Sequence, residues 1–507
     1  MTNDKQRITL KRLLLVILTV LAVFNVGLSL FGSLNQPQVQ SRLELYQTHL
    51  LLKAAELKTE NTELKPLIDA AIGENPYETG QKQYEEAIAE ARSTLEKLRD
   101  RRQQLVLADA DSQTRQQLEE AIAENQTFIG ESELELGILQ ARESTETAQR
   151  TWQELRDRPK VSATAAILQQ IWSDSPSPPL ENVLTAETQI EQTLEGWFRD
   201  RALHRLYEVE NRAPDLAQLE IQEQLAAREA VQKLAIVGGI PAVGGLFGVI
   251  IAIILLVQLA LRWERSLLAI SETLKWEVPW DGEVIWQVLI VGFFFVGQFV
   301  LPILFGLIGL DPTGYNLRQK AILVLASYIL LAIAGLSILY ISIKPYFPLP
   351  EDWFRFKLLD KWVIWGIGGY FTAIPLVIVV SLVNQQFWDG QGGSNPILSL
   401  ALQAQDFVAL AIFFFTASVA APVFEEIIFR GFLLPSLTRY LPVWGAIVVS
   451  AFVFAVAHLS LSEVLPLATL GIVLGFAYTR SRNLLSSILI HSLWNSGTLL
   501  TLFVLGS

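Results

Sequence analysis

Cysteine is absent from this 507-residue chain. That excludes a disulfide, a thiolate metal site and a cysteine nucleophile, and it leaves the redox compartment unread. Histidine occurs four times and methionine once. With so few imidazoles, their placement is informative: His458 and His491 both lie in apolar segments of the C-terminal half. Basic residues are the minority charge, 39 Lys and Arg against 51 Asp and Glu, for a net charge of −12. An acidic balance of this size argues against a nucleic-acid partner. Between residues 34 and 232 there is no long apolar run, and Glu, Gln, Ala and Leu dominate.

Elsewhere apolar residues are plentiful. They make up 51% of the chain, and the mean hydropathy is +0.36. They gather in runs of roughly 18 to 25 residues, long enough to cross a bilayer as helices. Lys11 and Arg12 precede the run Leu13 to Phe31. This run is long for a signal peptide and lacks a small-x-small cleavage site, so it reads as an uncleaved anchor. Further spans fall at 234–261, 284–308, 321–343, 362–383, 407–429, 443–460, 463–479 and 484–505. The fold class is therefore an all-α, polytopic membrane helix bundle of about nine transmembrane helices, carrying one large water-soluble insert. Four parts follow: residues 1–33, cytoplasmic tail and anchor; 34–232, the insert; 233–359, accessory spans; and 360–507, the core that holds the chemistry.

Charge orients these spans. Lys5, Arg7, Lys11 and Arg12 mark one side, and Arg262, Arg265, Lys344, Arg355, Lys357, Lys361, Arg430, Arg439, Arg480 and Arg482 mark every second loop. The segment 384–406 holds no Lys or Arg, while Arg318 and Lys320 break the pattern. The positive-inside rule then places the N-terminus in the cytoplasm and the insert outside.

The insert reads as helical and partly coiled coil. Leu118, Ile122, Asn125, Ile129, Ser132, Leu136 and Leu139 alternate spacings of four and three, the pattern of a seam. Leu95, Leu98 and Leu105 lie on an earlier stripe, and Ala108 to Ser112 suits a turn between the two. An antiparallel helical hairpin is the simplest arrangement. The Pro- and Ser-rich stretch Ser173 to Pro179 breaks it, and a further helical stretch is expected over 184–232. Gly238, Gly239, Gly244, Gly245 and Gly248 in the second span read as a small face for helix packing.

Three polar elements sit on three apolar helices. They are Glu425-Glu426 with Arg430; Phe454 with His458; and His491 with Asn495. Ionisable groups at such depth are costly and usually functional or paired. Each has a bland reading alone: a headgroup anchor, a packed histidine, an interhelical clasp. Together they need three unrelated accidents. Glu426 and Arg430 are four apart and can pair on one helix, which turns Glu425 about 100° away to face a cavity. His491 and Asn495, also four apart, share a face. This set suits hydrolysis of an amide by water. A buried carboxylate takes the proton, while an imidazole and a carboxamide hold the oxyanion.

These residues resemble the CPBP family, the CAAX-processing prenyl endopeptidases and the Abi-type bacteriocin-processing proteins. The pattern is Glu-Glu-x-x-x-Arg, then Phe-x-x-x-His, then His-x-x-x-Asn, and it covers about residues 360–507. The resemblance implies that Glu425 is the general base and that His458 positions the water. It implies that His491 and Asn495 form the oxyanion site, with Glu426, Arg430 and Phe454 in support. It implies a peptide or protein substrate, membrane-anchored, within the lipid bilayer. It favours no cofactor. Zinc held by Glu425, His458 and His491 is the alternative, although the chain has no His-Glu-x-x-His.

The insert lies outside the family core and is expected to recruit a protein partner. One strain is visible: in straight helices His458 lies about 22 Å from the cytoplasmic end and His491 only about 10 Å. Two other functions remain open. One is a non-catalytic scaffold presenting the coiled coil. The other is a proton-coupled transporter that relays through Glu425, His458 and His491.

Overall fold

The computed structural model describes residues 10–34, 39–58, 72–107, 112–173, 183–269, 272–310, 312–388, 392–394, 397–398 and 406–506, with Pro66 and Leu400. Its elements among these residues are all helical. The chain divides into two compact units, residues 1–39 with 240–507, and residues 40–239.

In the first unit, apolar helices long enough to cross a membrane include Leu10–Ser33, Gly282–Leu307, Leu317–Tyr346, Trp362–Trp388, Phe407–Leu437, Val464–Ser481 and Leu484–Leu505. The eighth is the apolar part of a longer helical stretch, Ala213–Arg265. The protein is thus a multi-pass membrane helix bundle. The expected ninth span, 443–460, is instead a helix of 14 residues, Val443–Val456. At about 1.5 Å per residue it falls short of a ~30 Å hydrocarbon layer. It ends because Leu459 turns left-handed, φ 60°.

Capping residues fix where the helices begin. Asp406 accepts from the N–H groups of Val408 and Ala409. Asn316 and Gln319 form a reciprocal capping box ahead of Leu317. Both satisfy donors that a helix start leaves unpaired. Close packing relies on glycine at one crossing in particular. A Cβ on Gly248 would lie 1.9 Å from the Phe371 carbonyl oxygen, whereas Gly238 and Gly239 meet nothing within 4 Å. The small face read from the sequence is therefore confined to Gly244, Gly245 and Gly248.

The two ends of this bundle differ in charge. At one end Lys11 and Arg12 pair with Glu283. There also Arg439 donates to the Val278 and Trp280 carbonyls, Arg480 to Ala269 and Arg482 to Leu274. At the other end Leu461 N–H donates to Ser33, and Ser460 and Ser462 donate to the Gly393 carbonyl. Arg318, the exception to the charge pattern, is paired with Asp406 at this second end.

The second unit is helical throughout its described elements. Helices Pro76–Leu107 and Ser112–Gln140 form the expected hairpin, whose connection at 108–111 lies outside the described residues. Leu95, Leu118, Ile122, Ile129, Ser132, Leu136 and Leu139 are all buried. The seam does not stand alone. It shares one core with Leu52, Trp152, Leu168, Ile190 and Phe198 from the other helices. Trp152 is the tightest fit: its indole N–H donates to the Leu134 carbonyl at 3.1 Å. A Cβ on Gly137 would come within 2.2 Å of that ring. The helical stretch expected over 184–232 is made of three helices, Val183–Thr193, Gly196–Val209 and Ala213–Leu234. Gly196 (φ 55°) and Asn211 (φ 54°) are left-handed at the breaks, a conformation that stops helices.

Candidate active site

The first motif lies on Phe407–Leu437, and this helix is not regular. Thr416–Ala420 and Ile427–Leu433 are π-helical and flank the carboxylates. Pro422 accounts for the first distortion. The Ala421 N–H reaches back five residues to the Thr416 carbonyl. In the same register the Ala417 carbonyl would need the N–H of residue 422, and proline has none. Asn495 fills the gap, donating from Nδ2 to the Ala417 carbonyl at 2.7 Å. One of its two amide hydrogens is thereby committed, and the other remains for a ligand.

Glu425 and Glu426 separate as their spacing requires. Glu426 and Arg430 are fully buried and pair at 2.9 Å within the helix. Arg430 also donates to the Gly471 carbonyl at 3.1 Å, and its guanidinium lies 4.4 Å from the centre of the Phe454 ring. Gly471 permits this, since a Cβ there would meet Ala451 at 2.8 Å and the guanidinium at 3.1 Å. A buried charge held on three sides fixes the helix crossing. Glu425 keeps 11% of its side-chain surface exposed.

His491 joins the first motif to the last helix. Its Nδ1 donates to Glu426 Oε1 at 3.0 Å, and its Nε2 stands 3.9 Å from Glu425 Oε2. Because Nδ1 faces an acceptor, Nε2 carries a hydrogen only when the ring is an imidazolium. Glu425 Oε2 makes no hydrogen bond with the protein, whereas Oε1 accepts one from the Tyr328 hydroxyl at 2.5 Å.

His458 stands at the end of the short helix. Its Nδ1 donates to the Phe454 carbonyl at 2.9 Å, so in the neutral ring its Nε2 is an acceptor. The depth mismatch between the two histidines is resolved through Phe454. The His458 ring lies 4.9 Å and the His491 ring 5.5 Å from that fully buried ring, both edge-on. Phe454 therefore collects Arg430, His458 and His491 on one aromatic side chain.

The structure thus brings Glu425, Glu426, Arg430, Phe454 and His491 together, sets His458 against Phe454, and ties Asn495 to Ala417. Among the described residues no three His, Asp or Glu side chains form a group that could hold a metal ion. Tyr328 is the contact that sequence reading missed, because it sits on the accessory span Leu317–Tyr346. A lone tyrosine in an apolar run carries no motif. Pro422, by contrast, was a readable signal of helix distortion.

With this geometry in hand, similarity to known proteins becomes specific. Residues 407–497 match the family described as type II CAAX prenyl endopeptidase Rce1-like. That stretch contains all seven residues of the three motifs, so the resemblance to the CAAX-protease group holds over the chemical core. The membrane-embedded CAAX protease MroQ of Staphylococcus aureus (strain USA300) is 27% identical over 190 residues, 36% of this chain and 74% of that protein. The putative membrane peptidase YdiL of Bacillus subtilis (strain 168) is 25% identical over 209 residues, 40% of this chain and 81% of that protein. No solved structure matches the chain.

Proposed function

We propose that the protein is an intramembrane endopeptidase of the CAAX-protease type in which Glu425 activates water. One observation carries the reading: His491 lies between Glu425 and Glu426, so the first and third motifs meet at one point. Glu425 Oε2 takes a proton from water as the water oxygen bonds to the scissile carbonyl carbon. The carbonyl electron pair moves to oxygen. The second N–H of Asn495 and the Nε2–H of protonated His491 hold that oxyanion, the interaction that counts most in such chemistry. Collapse restores the carbonyl and breaks the C–N bond, and the proton on Glu425 passes to the leaving amine. His458 Nε2, as an acceptor, holds the second hydrogen of the water. Glu426, Arg430 and Phe454 keep these groups in place.

The substrate in this reading is a membrane-anchored peptide or protein. The name of one relative, a CAAX protease, and the description of the matching family point to a CAAX substrate. The charge-rich end of the bundle faces the cytoplasm by the positive-inside rule, with residues 34–232 outside, where they would bind a protein partner. The test uses wild-type and Glu425→Gln protein in nanodiscs, with a fluorogenic CAAX peptide in prenylated and unprenylated forms. Mass spectrometry of peptides that accumulate in cells with each form extends the test to native substrates. Cleavage by wild type and none by folded Glu425→Gln is expected. Cleavage by both overturns the mechanism.

A further inference from the structure

The accessory helix Leu317–Ile343 meets the turn that carries Glu425 in two places. Tyr328 donates its hydroxyl to Glu425 Oε1 at 2.5 Å. Its ring packs edge-on against Phe424, the residue before Glu425, at 6.0 Å between centres. Seven residues on, and so on the same helix face, Gly335 also meets Phe424. A Cβ there would lie 3.0 Å from the Phe424 ring and 3.1 Å from the Gly292 carbonyl oxygen. Only a glycine lets the accessory helix approach this closely, and that approach carries the hydroxyl to the carboxylate.

We infer that Tyr328 is a positioning residue for Glu425. By occupying Oε1 it fixes the carboxylate plane and leaves Oε2 as the oxygen that faces His491 and the reacting water. This rests on Glu425 being the base. It adds that the working site extends beyond the matched residues 407–497 into the accessory helices. The physical reason is geometric. A glutamate has three rotatable bonds, and in an apolar surrounding a second anchor holds one orientation. A phenol is well suited, since it donates one hydrogen bond and brings no charge. The alternative is that the bond merely satisfies two buried polar groups, and the two roles predict different kinetics.

The experiment compares wild type, Tyr328→Phe, Glu425→Asp and the double variant in nanodiscs with the same fluorogenic CAAX peptide. Positioning predicts that Tyr328→Phe lowers kcat about tenfold with KM unchanged, the scale of one hydrogen bond to a charged group. Aspartate is one methylene shorter and cannot keep both contacts, so Tyr328→Phe has no further effect in the Glu425→Asp background. Equal losses in both backgrounds, or a loss confined to KM, overturn the inference. A second arm needs no substrate: an apolar carbodiimide labels Glu425 faster in Tyr328→Phe than in wild type, read by mass spectrometry. An unchanged labelling rate overturns the inference as well. Cleavage by folded Glu425→Gln defeats the reading of the base. An inactive Glu425→Gln with an unaffected Tyr328→Phe defeats only the role of Tyr328.

Discussion

The two units both bury apolar residues but differ in what they turn outward. In residues 40–239 the buried set is mainly apolar, Leu, Ile, Ala, Trp and Phe foremost, and most charged side chains lie around it. In the membrane unit Val16, Val20, Phe24, Ile253, Leu307 and Ile364 face outward, while Glu426, Arg430, Asn483, Ser486 and His491 are buried. The hydrophobic effect organises the first. In the second it sets which helices enter the bilayer but not how they pack, because lipid is as apolar as leucine. Packing there depends on close approach at glycine and on hydrogen bonds. The buried polar groups therefore serve as glue and, in the proposed mechanism, as chemistry too, so one substitution can damage either.

The largest effect separates those two roles. Glu425→Gln keeps the size and removes the base, so cleavage of the CAAX peptide falls by about 10²–10⁴-fold with unchanged thermal unfolding in detergent. A matching loss of stability would mean that Glu425 is glue. Arg430→Ala is the converse. It strands the fully buried Glu426, and breaking such a pair by removing one partner costs about 3–5 kcal/mol. Differential scanning fluorimetry in detergent should show a lowered midpoint, with activity lost alongside it.

In residues 40–239 the apolar core should be the sensitive part. Ile122→Asp with Ile129→Asp places two charges at buried positions. Hydrogen exchange of the hairpin in the full-length protein should rise sharply while exchange in the membrane helices does not. Uniform change in both units would end the claim that they are stabilised separately.

A subtler effect comes from a polar cluster in that same core. His49 Nε2 and the Tyr84 hydroxyl are 2.7 Å apart, and Glu135 lies 4.0 Å from His49. Burial pushes the Glu135 carboxyl up to about 8 and holds the His49 imidazole down to about 4. An acid raised on folding costs stability as pH climbs from its unfolded value, about 4.3, towards 8. A base lowered on folding costs stability as pH falls from about 6.5 towards 4. The two slopes oppose each other below about 6.5, and only the Glu135 cost remains above it. Protection of the hairpin should therefore decline as pH rises from about 6.5 to about 8, and Glu135→Gln should flatten that decline. The smallest expected effect is none: exhaustive chelation leaves peptide cleavage unchanged, and loss of activity restored by zinc would overturn the metal-free mechanism.

Some of this architecture was legible because it depends on local periodicity. The four-three spacing from Leu118 to Leu139 gave the hairpin, and the apolar runs gave the bundle. The short helix Val443–Val456 was misjudged, since an apolar run of the right length does not reveal a left-handed residue at Leu459. The break at Asn211 was hidden for the same reason.

What the sequence determined by itself is the membrane class, the helical insert and the three motifs. These follow from run length, period and side-chain chemistry within a few turns of helix. Only the tertiary structure decided that His491 bridges two carboxylates, that Asn495 answers a carbonyl freed by Pro422, and that Tyr328 reaches Glu425 from 97 residues away. Such contacts depend on how closely helices cross, and crossings are set at Gly335 and Gly471 by the absence of a side chain, which no periodic pattern records.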